Sequence, residues 1–191
     1  MDDTVKPKRK LIKIIIGIVV FLLFIIVVNF IPTWKLRTSK MKVFEGNWIN
    51  VYYETEEEAA LDVFLYADKE TEAIARALGF NEKPNVNVYI YDNQANMQRK
   101  KYGFVGPMLG LDWYIGDNIG TNVILTSPAN PGKVHNYENN KNAVLHEIVH
   151  AYVSVMNKDI ALWLTEGMAL YLTNGEPFYK EYLEYREIPT Y

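Results

Sequence analysis

Two histidines four residues apart, His146 and His150, flank Glu147 within the apolar run from Ala143 to Val153. At about 3.6 residues per turn both imidazoles project from one face of a helix, so they can reach the same ion. Glu147, one residue on from His146, points to the neighbouring position, where a metal-bound water would sit. This is the chemistry of the H-E-x-x-H pattern, with zinc as the ion and the glutamate as base. The helix is expected to be capped by Asn140 or Asn142 and to end near Met156 and Asn157. His135 stands alone in a turn-forming stretch, Ser127 to Asn140, and reads as a solvated loop histidine.

A zinc site of this kind needs a third ligand. The segment Ile160 to Thr173 is apolar nearly all round as a helix and carries one carboxylate, Glu166. A lone ionisable group on so apolar a helix is costly to bury unless it is paired or metal-bound. The few residues around Asn157 to Asp159 suffice for an antiparallel return onto the first helix. Glu166 would then complete a His2Glu set and leave the fourth position open.

Upstream elements must position these groups. Asn47 to Glu54, rich in aromatic and β-branched residues, predicts a strand, as do the alternating Val86 to Tyr91 and the run Asn122 to Thr126. Between the first two, Leu61, Phe64, Leu65, Ile74, Ala75 and Leu78 recur at helical spacing, and Gly79 marks the stop. The acidic residues Glu56, Glu57 and Glu58 read as a solvated face that also suits a helix N-terminus. Asp92 or Asn93 can cap a short helix to about Tyr102, on which Lys100 and Lys101 read as solvated. Gly103 to Gly120, with five glycines, is expected to be a long ordered loop or an irregular hairpin.

The 191 residues, 49% of them apolar, suffice for one globular domain with a substantial core. The chain has no cysteine, which excludes disulfides, thiolate catalysis and thiolate-bound zinc. Its net charge of −3 is uneven, because residues 32–191 hold 15 Lys or Arg against 21 Asp or Glu. So acidic a domain argues against a nucleic-acid partner.

The basic residues gather at the start. After Lys6, Lys8, Arg9, Lys10 and Lys13, the 18 residues Ile14 to Ile31 hold one polar side chain, Asn29. As a helix they would span about 27 Å, close to a bilayer core. Pro32 ends the segment and Trp34 suits the interface, while no small-residue cleavage site follows. We expect residues 1–13 as a cytoplasmic tail, 14–31 as an uncleaved single-pass anchor, 32–46 as a linker, and 47–191 as an extracytoplasmic domain at the cell membrane. Lys35, Arg37, Lys40 and Lys42 nearly balance the first basic cluster, so flanking charge sets orientation only weakly.

His146-Glu147-Ile148-Val149-His150, followed by Trp163-Leu164-Thr165-Glu166-Gly167-Met168-Ala169, resembles the gluzincin zinc metallopeptidases, and most of all the bacterial peptidase MA-like domains. The resemblance covers roughly residues 47–175. It implies an α+β, zincin-like fold, with a small mixed sheet packed on the active-site helix. It further implies His146, His150 and Glu166 as zinc ligands, Glu147 as catalytic base, a peptide or protein substrate, and Val123 to Thr126 as the edge along which that peptide lies. Two positions depart from the family. Leu170 stands where many members carry a carboxylate that orients a zinc histidine. A tyrosine or histidine that stabilises the oxyanion would have to be Tyr171, Tyr179, Tyr182 or Tyr185, and Tyr171 is named here as the candidate. With few residues after Glu166, the domain is either minimal or incomplete at its C-terminus. The expectation is therefore a membrane-anchored zinc peptidase, the alternative being a tethered zincin-fold protein that binds zinc or a protein partner without turnover.

Overall fold

A computed structural model describes residues 5–173. It is an α+β arrangement around a five-stranded mixed sheet, preceded by an apolar helix. That helix, α1 (Val5–Asn29), contains a 20-residue stretch, Lys10 to Asn29, with a mean hydropathy of 3.4 and none of its residues buried, Val28 and Asn29 at its end being half-buried. It is long and apolar enough to cross a membrane, a property it shares with signal sequences.

The sheet comprises β1 (Lys42–Glu45), β2 (Asn50–Tyr53), β3 (Asn87–Tyr91), β4 (Gly116–Ile119) and β5 (Asn122–Thr126), in the order β1-β2-β3-β5-β4. β2, β3 and β5 run parallel, and a strand at each edge runs antiparallel. Asn50, Asn87 and Asn122 lie in one register row. Asn50 Nδ2 donates to Asn87 Oδ1 at 3.2 Å, and Asn87 Nδ2 to Asn122 Oδ1 at 3.3 Å. A one-residue slip would break this ladder and turn the apolar residues to the wrong face.

Alternation along the strands gives the sheet two covered faces. Val51, Val88, Ile90, Val123 and Leu125 pack on one core with α2 (Glu57–Ala77), α4 (Tyr137–Met156) and α5 (Leu162–Leu172). Tyr91 and Ile124 join Met41, Met97 and Tyr114 in a second cluster beneath α3 (Gln94–Tyr102). The amide of Phe80 bonds the Ala75 carbonyl at 2.9 Å and closes α2 at Gly79, as the spacing predicts. Asn93 caps α3, its side chain accepting from Asn96 N at 3.0 Å.

Several expected boundaries move. The sheet begins inside the expected linker 32–46, because β1 pairs with β2, and Tyr91 Oη donates to the Leu36 carbonyl at 2.8 Å. The stretch Gly103 to Gly120 contains a 3-10 turn, Gly103–Met108, and then β4, so its second half is the hairpin alternative. α4 starts at Tyr137, earlier than expected. Its cap is Asn136, whose side chain accepts from Asn139 N at 2.9 Å, while Asn140 lies buried within the helix. The added turn reaches α2 through Tyr137 Oη and Lys141, which meet Asp62 at 2.9 and 3.3 Å.

Asp68 of α2 ties the β1–β2 connection to the core. Its carboxylate accepts from the amides of Asn47, Trp48 and Ile49 at 3.0, 2.8 and 3.2 Å. Hydrogen bonds to a charged acceptor are the stronger kind, and the orphaned amides add their own cost. We expect Asp68→Ala to lower stability by about 2 kcal/mol, measured by denaturant unfolding of the full chain in detergent.

Candidate metal centre

α4 lies across β4 and β5 and carries His146, Glu147 and His150 toward the edge of the sheet. His150 is buried and His146 partly so. The chain then turns at Asn157, whose side-chain Oδ1 accepts from Asp159 N at 2.9 Å, and α5 returns to pack on α4. This return brings Glu166 to the histidines. Its Oε2 lies 3.3 Å from His146 Nε2, its Oε1 lies 3.4 Å from His150 Nε2, and the two imidazole nitrogens are 3.1 Å apart.

These separations decide what the cluster can hold. Nitrogen and oxygen ligands at about 2.0–2.1 Å in a tetrahedron stand about 3.3–3.4 Å from one another. His146 and His150 meet different oxygens of Glu166, and with one donor atom taken from each residue the three lie within 4.8 Å of one another; among the described residues they form the one group of three His, Asp or Glu side chains able to hold a metal ion. Burial, and then His146, hold the imidazole of His150 below its ordinary value, which keeps its lone pair free for a cation. The ligand trio read from sequence is thus brought together, although not for the reason of burial. Leu162, Trp163 and Tyr171 of α5 stand exposed, and the Glu166 side chain is 46% exposed. Glu166 is held by the histidine pair it faces.

Glu147 lies on the same helix beside the trio. Its carboxyl is pushed up to about 8, first by burial, then by Asp117 and Glu166, with Lys101 opposing. β4 covers it closely. A Cβ on Gly116 would stand 3.3 Å from Glu147 Cγ and 3.2 Å from Leu125 Cδ1, so a larger residue there would press both side chains back by a few tenths of an ångström.

The charges behind Glu147 carry no signal in the sequence. Asp117 of β4 accepts from Tyr114 Oη and pairs with Lys101 Nζ at 2.7 Å, and its charge bears on both Glu147 and His150. Lys101, expected to be solvated, is therefore committed to the rim of the site. A carboxylate thus acts on His150 from the sheet, although position 170 is leucine. No local pattern marks Asp117, since only the hairpin brings it here.

Other candidates fall elsewhere. His135 Nε2 meets the Trp113 carbonyl at 2.8 Å, outside the trio. Tyr171 is 82% exposed and, five residues after Glu166, points about 140° away around the helix. Tyr179, Tyr182 and Tyr185 lie outside the described residues. The strand expected to serve as the peptide edge is also corrected. β5 is flanked by β3 and β4, so its main-chain groups are used on both sides, and the edge beside the site is β4.

Comparison with models of known protein families, with curated proteins and with solved structures finds no match to this chain. The donor set itself is the measurable property. We expect one equivalent of a divalent transition metal per chain, measured by calorimetric titration of the full chain. His150→Ala should weaken that affinity by more than about 100-fold, beyond the scale for losing an outer-shell partner, and His135→Ala should leave it unchanged.

Proposed function

We propose that the protein is a membrane-anchored zinc metallopeptidase of the gluzincin type, with α1 as a retained single-pass anchor and the domain outside the cytoplasm. The observation that carries this reading is the convergence of His146, His150 and Glu166, the imidazole nitrogens 3.1 Å apart and each 3.3–3.4 Å from a Glu166 oxygen, with Glu147 next to them on α4. A purely structural zinc has no need of a base, and structural sites are closed by a fourth protein ligand. Among the described residues the trio has none.

Zinc held there would supply Lewis acidity and acidify a water. The chain's own residues would do the rest. His146, His150 and Glu166 would hold the cation, and with three protein ligands it would still be open to water or substrate. The Glu147 carboxylate takes a proton from the attacking water and returns it to the leaving amine as the peptide bond breaks. Its shielding under Gly116 favours that return, because burial raises the affinity of the carboxyl for a proton. An extended peptide would lie along β4, the exposed edge beside the helix, and be held by main-chain hydrogen bonds.

The test compares peptide-library cleavage by the full chain and by Glu147→Gln, both in detergent and loaded with zinc. Glu147→Gln should bind zinc as the wild type does and cleave about 10²- to 10⁴-fold more slowly, the usual worth of a positioned general base. A wild type that binds zinc and cleaves nothing would establish the non-catalytic, zinc-binding alternative instead.

A further inference from the structure

The expected linker after α1 is strapped to the domain, and the strapping places an apolar surface beside the end of the apolar helix. Asn29, the last residue of α1, donates from Nδ2 to the Tyr102 carbonyl at 3.1 Å and accepts at Oδ1 from the Val105 amide at 3.0 Å. Gly103 takes a φ of 78°, and a Cβ there would overlap the backbone of Asn29, so glycine is what permits this approach. Lys100 Nζ then donates to the Lys35 carbonyl at 2.8 Å, and Tyr91 holds Leu36. A polar residue in an otherwise apolar span is thereby used as a bracket.

The bracket fixes what lies at the level of Asn29. The 3-10 turn Gly103–Met108 exposes Phe104, Val105 and Met108 to solvent, with Leu109 following, and Met108 is 82% exposed. Trp34, 70% exposed, stands in the short 3-10 helix Ile31–Trp34 that leaves the span. Four neighbouring large apolar side chains, together with a tryptophan, form the kind of patch that monomers seldom leave in water. Lys35, Arg37 and Lys40 follow directly and are exposed, and Arg99 and Lys100 close α3. Apolar side chains at the depth of a span's end, with cations in the segments on either side of them in the chain, match an interface of acyl chains beneath anionic headgroups.

We propose that Phe104, Val105, Met108 and Leu109, with Trp34, form a membrane-contact face. It seats in the headgroup region of the leaflet from which α1 emerges and holds the domain in one orientation. The occupant is the bilayer itself, argued from continuity with the span and from the positive charge flanking it in the chain. This rests on α1 being a retained anchor, and it accounts for the second cluster of basic residues as lipid-facing rather than orienting.

The chain's lack of cysteine makes single-site labelling clean. Nitroxides are placed at Met108→Cys, at Phe24→Cys within α1, and at Leu65→Cys on α2, across the sheet, with the full chain reconstituted in phosphatidylcholine and phosphatidylglycerol bilayers. Power saturation reads collision with oxygen against collision with a polar nickel chelate. Met108→Cys and Phe24→Cys should favour oxygen several-fold more than Leu65→Cys. If Phe24→Cys is lipid-shielded while Met108→Cys matches Leu65→Cys, the contact face is overturned and the anchor stands. If Phe24→Cys meets the chelate freely, the anchor reading falls and the contact face with it. Dipolar broadening between labels at Met108→Cys, without preference for oxygen, would give the patch to a second copy of the chain and overturn the proposal.

Discussion

Two imidazole nitrogens and a carboxylate brought within 3.1–3.4 Å of one another form a cluster of lone pairs that is tolerable only around a cation or a shared proton. The fold's other choices follow from assembling it. Helical spacing on α4 supplies two donors at no cost in loop entropy. The third comes from a different helix, so the Asn157 turn and the packing of α5 on α4 must hold. α4 must in turn be fixed to the sheet. The parallel strands β2, β3 and β5 do this by presenting valine, isoleucine and leucine to its buried side, and the Asn50–Asn87–Asn122 row keeps them in register. An error of one residue in any strand would shift α4 relative to β4, and Glu147 would lose its close fit under Gly116.

The rim of this site and the base of the domain are consecutive residues of one helix end. Lys101 reaches Asp117, whose charge bears on Glu147 and His150, while Tyr102 and the turn after it bond Asn29. Whatever holds α1 and the Gly103–Met108 turn in place therefore also sets where Lys101 stands. Partly buried ion pairs of this kind owe their strength to fixed geometry, since a flexible lysine would spend the gain on ordering itself. Fixing α3 at both ends, by the Asn93 cap and by the bracket on Asn29, removes that loss.

Local periodicity and capping made much of this legible in the sequence. The i, i+4 histidines, the lone Glu166, the stop at Gly79 and strands β2, β3 and β5 all rest on short-range rules, and all stand in the structure. What escaped was non-local. β1 is four residues of ordinary composition that become a strand by pairing with β2, whereas β4 is within reach of the hairpin alternative and is fixed by pairing with β5. Asn136 wins the cap of α4 over Asn140 and Asn142 because the extra turn gains Tyr137 and Lys141 as contacts to Asp62 on another helix. Asp117 and Lys101 are 16 positions apart and meet only because the hairpin carries one to the other. α5 misled in the opposite direction: its apolar composition predicted burial, yet among the described residues it keeps Leu162, Trp163 and Tyr171 in the open.

That exposure bears on how the centre would work. A structural metal is best enclosed, since every added protein ligand stabilises the folded state and excludes competing water. Here, among the described residues, the third donor sits on a helix whose one buried residue is Ala169, with Glu166 46% exposed and His146 27% exposed at their side chains, while His150 is buried. Glu147 is half-buried, with β4 close against its Cγ. Open access at one side and a protected carboxyl at the other are what a reaction between water and a bound peptide requires, because substrate must enter and the proton must not be lost to solvent. A site built only to grip zinc would have no use for the difference. An accessible Glu166 beside a buried His150 is the access that the proposed hydrolysis would use.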